Sequence, residues 1–210
     1  VVRLSAMGDI LHTLPAVATL RRSFPAARIT WAVKPRWATL LRDNPDVHDL
    51  LPIEKPRLGL PRFDLVLDFQ GLIKSALLAR LTRPARLVGF DYPLLREKPA
   101  GLFYSQRVRS TARHVVDRNL DLAAAAGASR RSIQFPVPDY PAEGDLPDGD
   151  FVLASPLAGW RAKQWPLDFY SCLAALLGER FGWPLVLNCS PGQRDQCANI
   201  PGCLVNVTSV

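Results

Sequence analysis

No stretch of this 210-residue chain approaches the roughly 18 consecutive apolar residues that a membrane-spanning helix requires. We also expect no signal peptide, because Val1 and Val2 lead directly into Arg3 and a polar turn. We therefore expect a cytoplasmic protein.

Cysteine and histidine are scarce, with four and three residues respectively. The cysteines form no Cys-x-x-Cys pair, and no histidine stands at metal-ligand spacing from them. We expect buried free thiols, a reducing compartment and no metal site.

The basic charge is concentrated in the first two thirds of the chain. Residues 1–142 hold 22 of the 26 Lys and Arg and 12 of the 19 Asp and Glu, a net charge of +10, whereas the other 68 residues carry −3. Such an excess suits an anionic partner: nucleic acid, a phosphorylated glycan or an acidic membrane surface. It equally suits a solvated basic face.

Strand-like apolar runs alternate with helical spacing along the chain. Strands are predicted over residues 1–4, 29–33, 47–53, 63–69 and 86–90, and helices over 10–22, 35–41, 72–81 and 111–126. This alternation predicts an α/β fold with a parallel, doubly wound sheet in a first domain over residues 1–142.

A second domain is predicted after a linker rich in turn formers, residues 143–150. Residues 151–210 contain strands over 151–155 and 184–188 and a helix over 167–180. Two or three strands cannot bury both faces of a parallel sheet. We therefore expect this domain to be incomplete and the parent protein to continue.

The first candidate site is the turn SAMGD at residues 5–9, between the first strand and the first helix. Ligands of open α/β sheets bind beyond the carboxyl ends of the strands. Gly8 permits close backbone approach, and the spacing is not the GxGxxG of dinucleotide sites. Asp9 suits a general base acting on a hydroxyl, although aspartate is also a favoured helix cap there.

The second candidate site is DFQGLIKS at residues 68–75, again at the end of a strand. Its hydrogen-bonding groups are those of Asp68, Gln70, Lys74 and Ser75. The alternative is a capping role for Asp68 and a solvated helix position for Lys74.

The third candidate site is GWRAKQWP at residues 159–166, ahead of a predicted helix in the second domain. Lys163 near a helix amino terminus suits a diphosphate leaving group. A surface lysine beside a packing tryptophan is the alternative.

Together with REKPAGLFY at residues 96–104 and HVVDRN at 114–119, these stretches resemble the lipopolysaccharide heptosyltransferases of glycosyltransferase family nine. The pattern is nearest to the heptosyltransferase I branch. The resemblance covers nearly the whole chain and implies a GT-B architecture of two Rossmann-like domains. The first would bind the acceptor and the second ADP-heptose.

The implied activity is inverting transfer of L-glycero-D-manno-heptose from ADP-heptose to the Kdo region of the lipid A-linked inner core. It would take place at the cytoplasmic face of the inner membrane, without a cofactor, nucleic acid or protein partner, and the metal requirement stays open. By analogy Asp9 is the general base, and the donor-binding residues are Lys163, Gly159 and Asp195. The acceptor-binding candidates are Gly8, Asp68, Gln70, Lys74, Arg57, Arg62 and Arg107.

The chain departs from the family pattern in two places. It ends before the late nucleotide-sugar motif, and Ala158 and Gly159 stand where hydroxyl residues precede the donor-loop lysine. Two alternatives therefore remain: a family-nine transferase with another nucleotide sugar or acceptor, and a non-enzymatic basic α/β binding module.

Overall fold

The computed structural model describes residues 1–157 and 161–208, and the chain divides into two compact units, Val1–Pro138 and Asp139–Val210. Within the described ranges, every helix is too short or too polar to cross a membrane.

All paired strands of the first unit run parallel. Buried apolar side chains such as Trp31, Val66 and Val88 line these strands, which is the pattern of a sheet covered on both faces. The strands are β1 (Thr30–Val33), β2 (Asp49–Pro52), β3 (Leu65–Asp68), β4 (Arg86–Phe90) and β5 (Gln106–Val108).

Residues 1–4 lie in the middle of this sheet. Val2 pairs in parallel with both Ala32 of β1 and Asp68 of β3. The spatial order is therefore β2, β1, residues 1–4, β3, β4, β5. The chain moves to one side of the first segment and then to the other, so a topological switch point lies between residues 1–4 and β3. Ligands of doubly wound folds bind at such a point, beyond the carboxyl ends of the strands.

Four α-helices and three 3₁₀ helices connect the strands of the first unit. Helix α2 packs on the sheet through its buried residues, Val17 and Leu20 among them. The α-helices are α1 (Met7–Leu11), α2 (Leu14–Ser23), α3 (Ile73–Leu81) and α4 (Val115–Ala125), and the 3₁₀ helices are Pro35–Leu41, Tyr92–Leu94 and Lys98–Phe103.

Two helix predictions differ from the structure. The single helix expected over residues 10–22 is divided between α1 and α2, because Pro15 has no N–H and its ring would clash with the carbonyl of Leu11 in a continuous helix. The helix expected from residue 111 begins at Val115, where the His114 ring accepts a hydrogen bond from the Val116 N–H at 3.3 Å.

The second unit is a smaller parallel sheet in the order β6, β7, β8. Its core is formed by apolar side chains of α5 and β7, such as Ala174, Leu185 and Leu187. The elements are β6 (Val152–Ala154), the 3₁₀ helix Arg161–Lys163, α5 (Asp168–Phe181), β7 (Leu185–Cys189), the 3₁₀ helix Pro191–Gln193, α6 (Arg194–Ala198) and β8 (Cys203–Val207).

Candidate active site

Asp9 lies in the first turn of α1, just beyond the carboxyl end of residues 1–4. The hydroxyl of Thr13 donates to the backbone carbonyl of Asp9 at 2.8 Å and links α1 to the start of α2. The backbone N–H of Ala6, the residue that precedes α1, also hydrogen-bonds the carboxylate. The helix-cap alternative is wrong, because Ala6 is the N-cap of α1 and Asp9 lies within its first turn.

Two guanidinium groups hold the carboxylate of Asp9. Nη2 of Arg3 lies 3.0 Å from Oδ1, and Nη2 of Arg96 lies 2.6 Å from Oδ2. Burial raises the pKa of Asp9, but the charges of Arg3 and Arg96 outweigh burial and hold that pKa below its usual range. Asp9 is therefore ionised at neutral pH.

A cavity of about 220 Å³ opens beside Asp9 at the switch point. One carboxylate and three guanidinium groups line it, so its net charge is positive and favours an anionic ligand. Its volume is below the roughly 300–1,000 Å³ of sites that enclose a whole small molecule. The lining residues are Arg3, Asp9, Phe69, Gln70, Phe90, Leu94, Arg96, Val115, Arg118 and Asn119.

Asp68 is fully buried at the end of β3. Its carboxylate accepts hydrogen bonds from the hydroxyls of Ser75 and Tyr104, each at 2.8 Å, and from the backbone N–H of Gln70 at 2.9 Å. Burial raises the pKa of Asp68 above its usual range, although these hydrogen bonds favour the ionised form. This network holds the turn that follows β3.

Gln70 joins the first two sequence motifs. Its Oε1 accepts the backbone N–H groups of Leu4 at 3.0 Å and Ser5 at 3.2 Å. The next residue, Gly71, has a φ of +69°, a left-handed conformation that favours glycine. Gln70 is 3% exposed yet lines the cavity, so it both fixes the turn at residues 4–5 and forms part of the cavity wall.

The acceptor candidates Gly8, Lys74 and Arg107 lie on three different elements of the first unit. Gly8 is exposed, and a Cβ at this position would meet nothing within 4 Å. Lys74 is half-buried in the first turn of α3. Arg107 lies over the ring of Tyr92, 5.0 Å from its centre, and 3.5 Å from the Asp91 carboxylate.

Arg57 and Arg62 lie on the exposed connection between β2 and β3. Arg62 borders a second cavity, of about 500 Å³, together with Thr30 and Leu65. Since Thr30 and Leu65 begin β1 and β3, this larger cavity lies at the amino-terminal ends of the strands. Arg62 is thus at the opposite edge of the sheet from Asp9, and the structure does not bring these two residues together.

The donor candidates belong to the second unit. Lys163 is exposed at the end of the 3₁₀ helix Arg161–Lys163, five residues before α5 begins at Asp168. Asp195 is exposed in the first turn of α6. Gly159 lies outside the described residues.

Sequence reasoning assigned no role to four polar residues of the cavity: Arg3, Arg96, Arg118 and Asn119. Arg3 had a detectable signal, because an arginine in a strand buried on both faces requires a partner. Arg96, Arg118 and Asn119 stand in the segments REKPAGLFY and HVVDRN, but no sequence pattern indicated that these segments meet Asp9.

The sequence profile described as Glycosyltransferase family 9 (heptosyltransferase) matches residues 55–203. Lipopolysaccharide heptosyltransferase 1 of Pseudomonas aeruginosa is 28% identical over 98% of this chain and 64% of its own length. Lipopolysaccharide heptosyltransferase 1 of Escherichia coli K12 is 29% identical over 85% of this chain and also 64% of its own length. The chain thus spans about two thirds of the length of these relatives.

A solved structure described as E. coli heptosyltransferase WaaC with ADP-2-deoxy-2-fluoro heptose superposes with a TM-score of 0.77. The match covers 99% of this chain and 74% of the other, at 25% identity. Together with the parallel sheets of both units, this likeness confirms the predicted α/β fold class of Rossmann-like GT-B units.

Proposed function

Because the chain belongs to glycosyltransferase family 9, we propose that the whole protein is an inverting heptosyltransferase. It moves L-glycero-D-manno-heptose from ADP-heptose to the Kdo region of the lipopolysaccharide inner core. The names of its relatives support the sugar and the pathway, and a solved structure of similar fold holds a fluorinated ADP-heptose.

The observation that carries the proposal is the ionised Asp9 at the wall of a positively charged cavity. As an acceptor hydroxyl attacks the anomeric carbon of the donor, Asp9 takes the hydroxyl proton. The new glycosidic bond forms while the bond to ADP breaks, and ADP leaves with that electron pair. Attack from the face opposite the leaving group inverts the anomeric centre.

The cavity also supports an anionic acceptor. Its three guanidinium groups face one carboxylate, so a carboxylate of Kdo or a core phosphate would be attracted to Arg96 and Arg118. Arg118 donates through Nε to the carbonyl of Ala112 at 2.8 Å, which fixes the side chain at the cavity. Gly8, Gln70 and Lys74 are further acceptor candidates, and the Asp68 carboxylate accepts the backbone N–H of Gln70 at 2.9 Å.

The donor side of the proposal rests on the second unit. Lys163 precedes the 14-residue helix α5, whose dipole favours an anion at its start. Lys163 would bind the diphosphate of ADP, with Gly159 and Asp195 as further donor contacts.

Calorimetric titration of ADP-heptose, UDP-glucose and GDP-mannose into the intact protein tests the donor. We expect binding of ADP-heptose alone. Ala158 and Gly159 stand where the family resemblance implies hydroxyl residues, which leaves open a second candidate, a family-nine transferase with another donor. A preference for UDP-glucose or GDP-mannose would establish that alternative and reject the heptose assignment.

A further inference from the structure

We propose that Arg3 is a positioning residue, which holds the carboxylate of Asp9 in one orientation for proton removal. The inference rests on the proposed role of Asp9 as general base. It adds a residue of the segment 1–4, outside the sequence motifs of the site, to the machinery of the reaction.

The side chain of Arg3 is fixed at both ends of its guanidinium group. Nη1 donates to the carbonyl of Phe69, and Nη2 lies 3.0 Å from Oδ1 of Asp9. Phe69 is itself anchored, because its N–H donates to the carbonyl of Val2 at 3.0 Å. The guanidinium group therefore bridges the two sides of the switch point. It fixes the position of the Asp9 carboxylate relative to the end of β3.

The side chains of the two arginines at Asp9 differ in how far they are buried. The Arg3 side chain is 5% exposed, whereas that of Arg96 is 54% exposed and lies on a connection outside the sheet. An incoming acceptor can displace Arg96 from Oδ2 while Arg3 stays on Oδ1. Asp9 would then offer one free oxygen in a defined direction.

Stability does not account for an arginine at this position. Its Nε is buried and has no hydrogen-bond partner among the described residues. A buried ion pair contributes little or no net stability compared with an apolar pair, because both charges lose water. The arrangement is explained by its effect on Asp9 rather than by the folding free energy.

Other ionisable groups lie near Asp9 besides Arg3. Arg96 and Arg118 line the same cavity, His12 follows Asp9 on the same turn of chain, and Asp68 lies near Arg3. Burial raises the pKa of Asp9, and the charges of Arg3 and Arg96 both lower it. Removal of the Arg3 charge therefore shifts protonation of Asp9 to higher pH.

The test compares Arg3→Met, Arg3→Lys and the control Arg28→Met in the intact protein, by pH profiles of kcat/KM and by thermal unfolding. Arg28 is a matched control because it pairs with Asp49 at 2.6 Å, away from the cavity. For Arg3→Met we expect the acid limb to rise by about one pH unit and kcat to fall by roughly 10²-fold. KM for the donor should stay near wild type, whereas the melting temperature falls because Asp9 and the Phe69 carbonyl lose a buried partner.

Arg3→Lys keeps the charge but not the two-armed contact, so kcat should fall while the acid limb stays in place. If Arg3→Met does not fold, Arg3→Lys tests the proposal alone. A wild-type kcat in Arg3→Lys would overturn the proposal. An unmoved acid limb in a folded Arg3→Met would do the same, even with a lowered melting temperature.

An Asp9→Asn background separates this inference from the proposed function. Wild-type turnover in Asp9→Asn would reject Asp9 as the base. Loss of turnover in Asp9→Asn with an unchanged pH profile in Arg3→Met would reject only the role of Arg3. If Arg3 acts through Asp9, Arg3→Met adds no further loss in the Asp9→Asn background.

Discussion

Asp9 follows residues 1–4 and Asp68 ends the neighbouring strand β3, and their surroundings give them different chemistry. Asp9 is 22% exposed and held by two arginines, so its pKa is lowered and its carboxylate can meet a substrate. Asp68 is fully enclosed and accepts its hydrogen bonds from the protein. At the scale of single residues, the structure thus separates a reactive carboxylate from a supporting one.

Asp9→Asn should lower turnover by about 10²-fold or more, because an amide cannot take up the proton of the attacking hydroxyl. Folding and ADP affinity should change little. The measurement is kcat with purified acceptor, and Asp64→Asn, an exposed aspartate beside the second cavity, is the control. Normal turnover in Asp9→Asn would remove Asp9 from the mechanism.

Lys163→Ala should weaken ADP binding by roughly tenfold, the loss expected for about 1.4 kcal/mol of charge-assisted contact. Calorimetry with ADP measures the effect. Arg180→Ala, in the last turn of the same α5, is the control at the opposite end of the helix. An unchanged ADP affinity in Lys163→Ala would mean that the diphosphate binds elsewhere.

At the scale of elements, the strongly patterned segments were predictable. β4 occupies residues 86–90 as its apolar run indicates, because four of its five residues are buried. β5 was missed, since Val108 alone is buried among its three residues. Elements that present few apolar side chains to a core carry little periodicity in the sequence.

The site was predictable only in part. A turn after a strand indicated Asp9, but the ion pair with Arg96 joins residues 87 positions apart. Such a contact depends on strand order and on the course of the connections, which local patterns do not encode. Likewise, nothing near Asp68 in sequence indicates that the Tyr104 hydroxyl donates a hydrogen bond to its carboxylate.

Gly89 of β4 offers a test of packing at the scale of elements. A Cβ there would lie 2.3 Å from Cε2 of Tyr104, so Gly89→Ala must displace the ring that donates to Asp68. We expect a loss of about 2–3 kcal/mol in unfolding free energy, as for other overpacked cores. Urea unfolding measures it.

Gly178→Ala is the matched control in α5, because a Cβ there meets nothing within 4 Å. That variant should be stabilised by roughly 0.5–1 kcal/mol, since alanine loses less backbone entropy in a helix. Equal effects of the two substitutions would contradict the packing described around Tyr104.

At the scale of the whole molecule, charge is divided unevenly along the chain. Residues 1–142 carry +10 and the remaining residues −3. An acceptor anchored in the inner membrane would present an anionic surface to the more basic part. Family membership argues against the nucleic-acid module that this charge also allowed.

Binding to vesicles tests the proposed peripheral location. We expect the intact protein to sediment with phosphatidylglycerol vesicles at 0.1 M salt and to be released at 1 M, where the Debye length falls from about 10 Å to about 3 Å. Neutral phosphatidylcholine vesicles are the control. Equal binding to both lipids would contradict an electrostatic association.

The hydrogen bonds from Leu4 and Ser5 to Gln70 close a loop of more than sixty residues. Parallel strands so far apart in sequence form late, because loop closure must precede their pairing. The cavity therefore has no local precursor during folding and exists only once the first sheet is assembled. Binding at this cavity and cooperative unfolding of the first unit should consequently be lost at the same denaturant concentration.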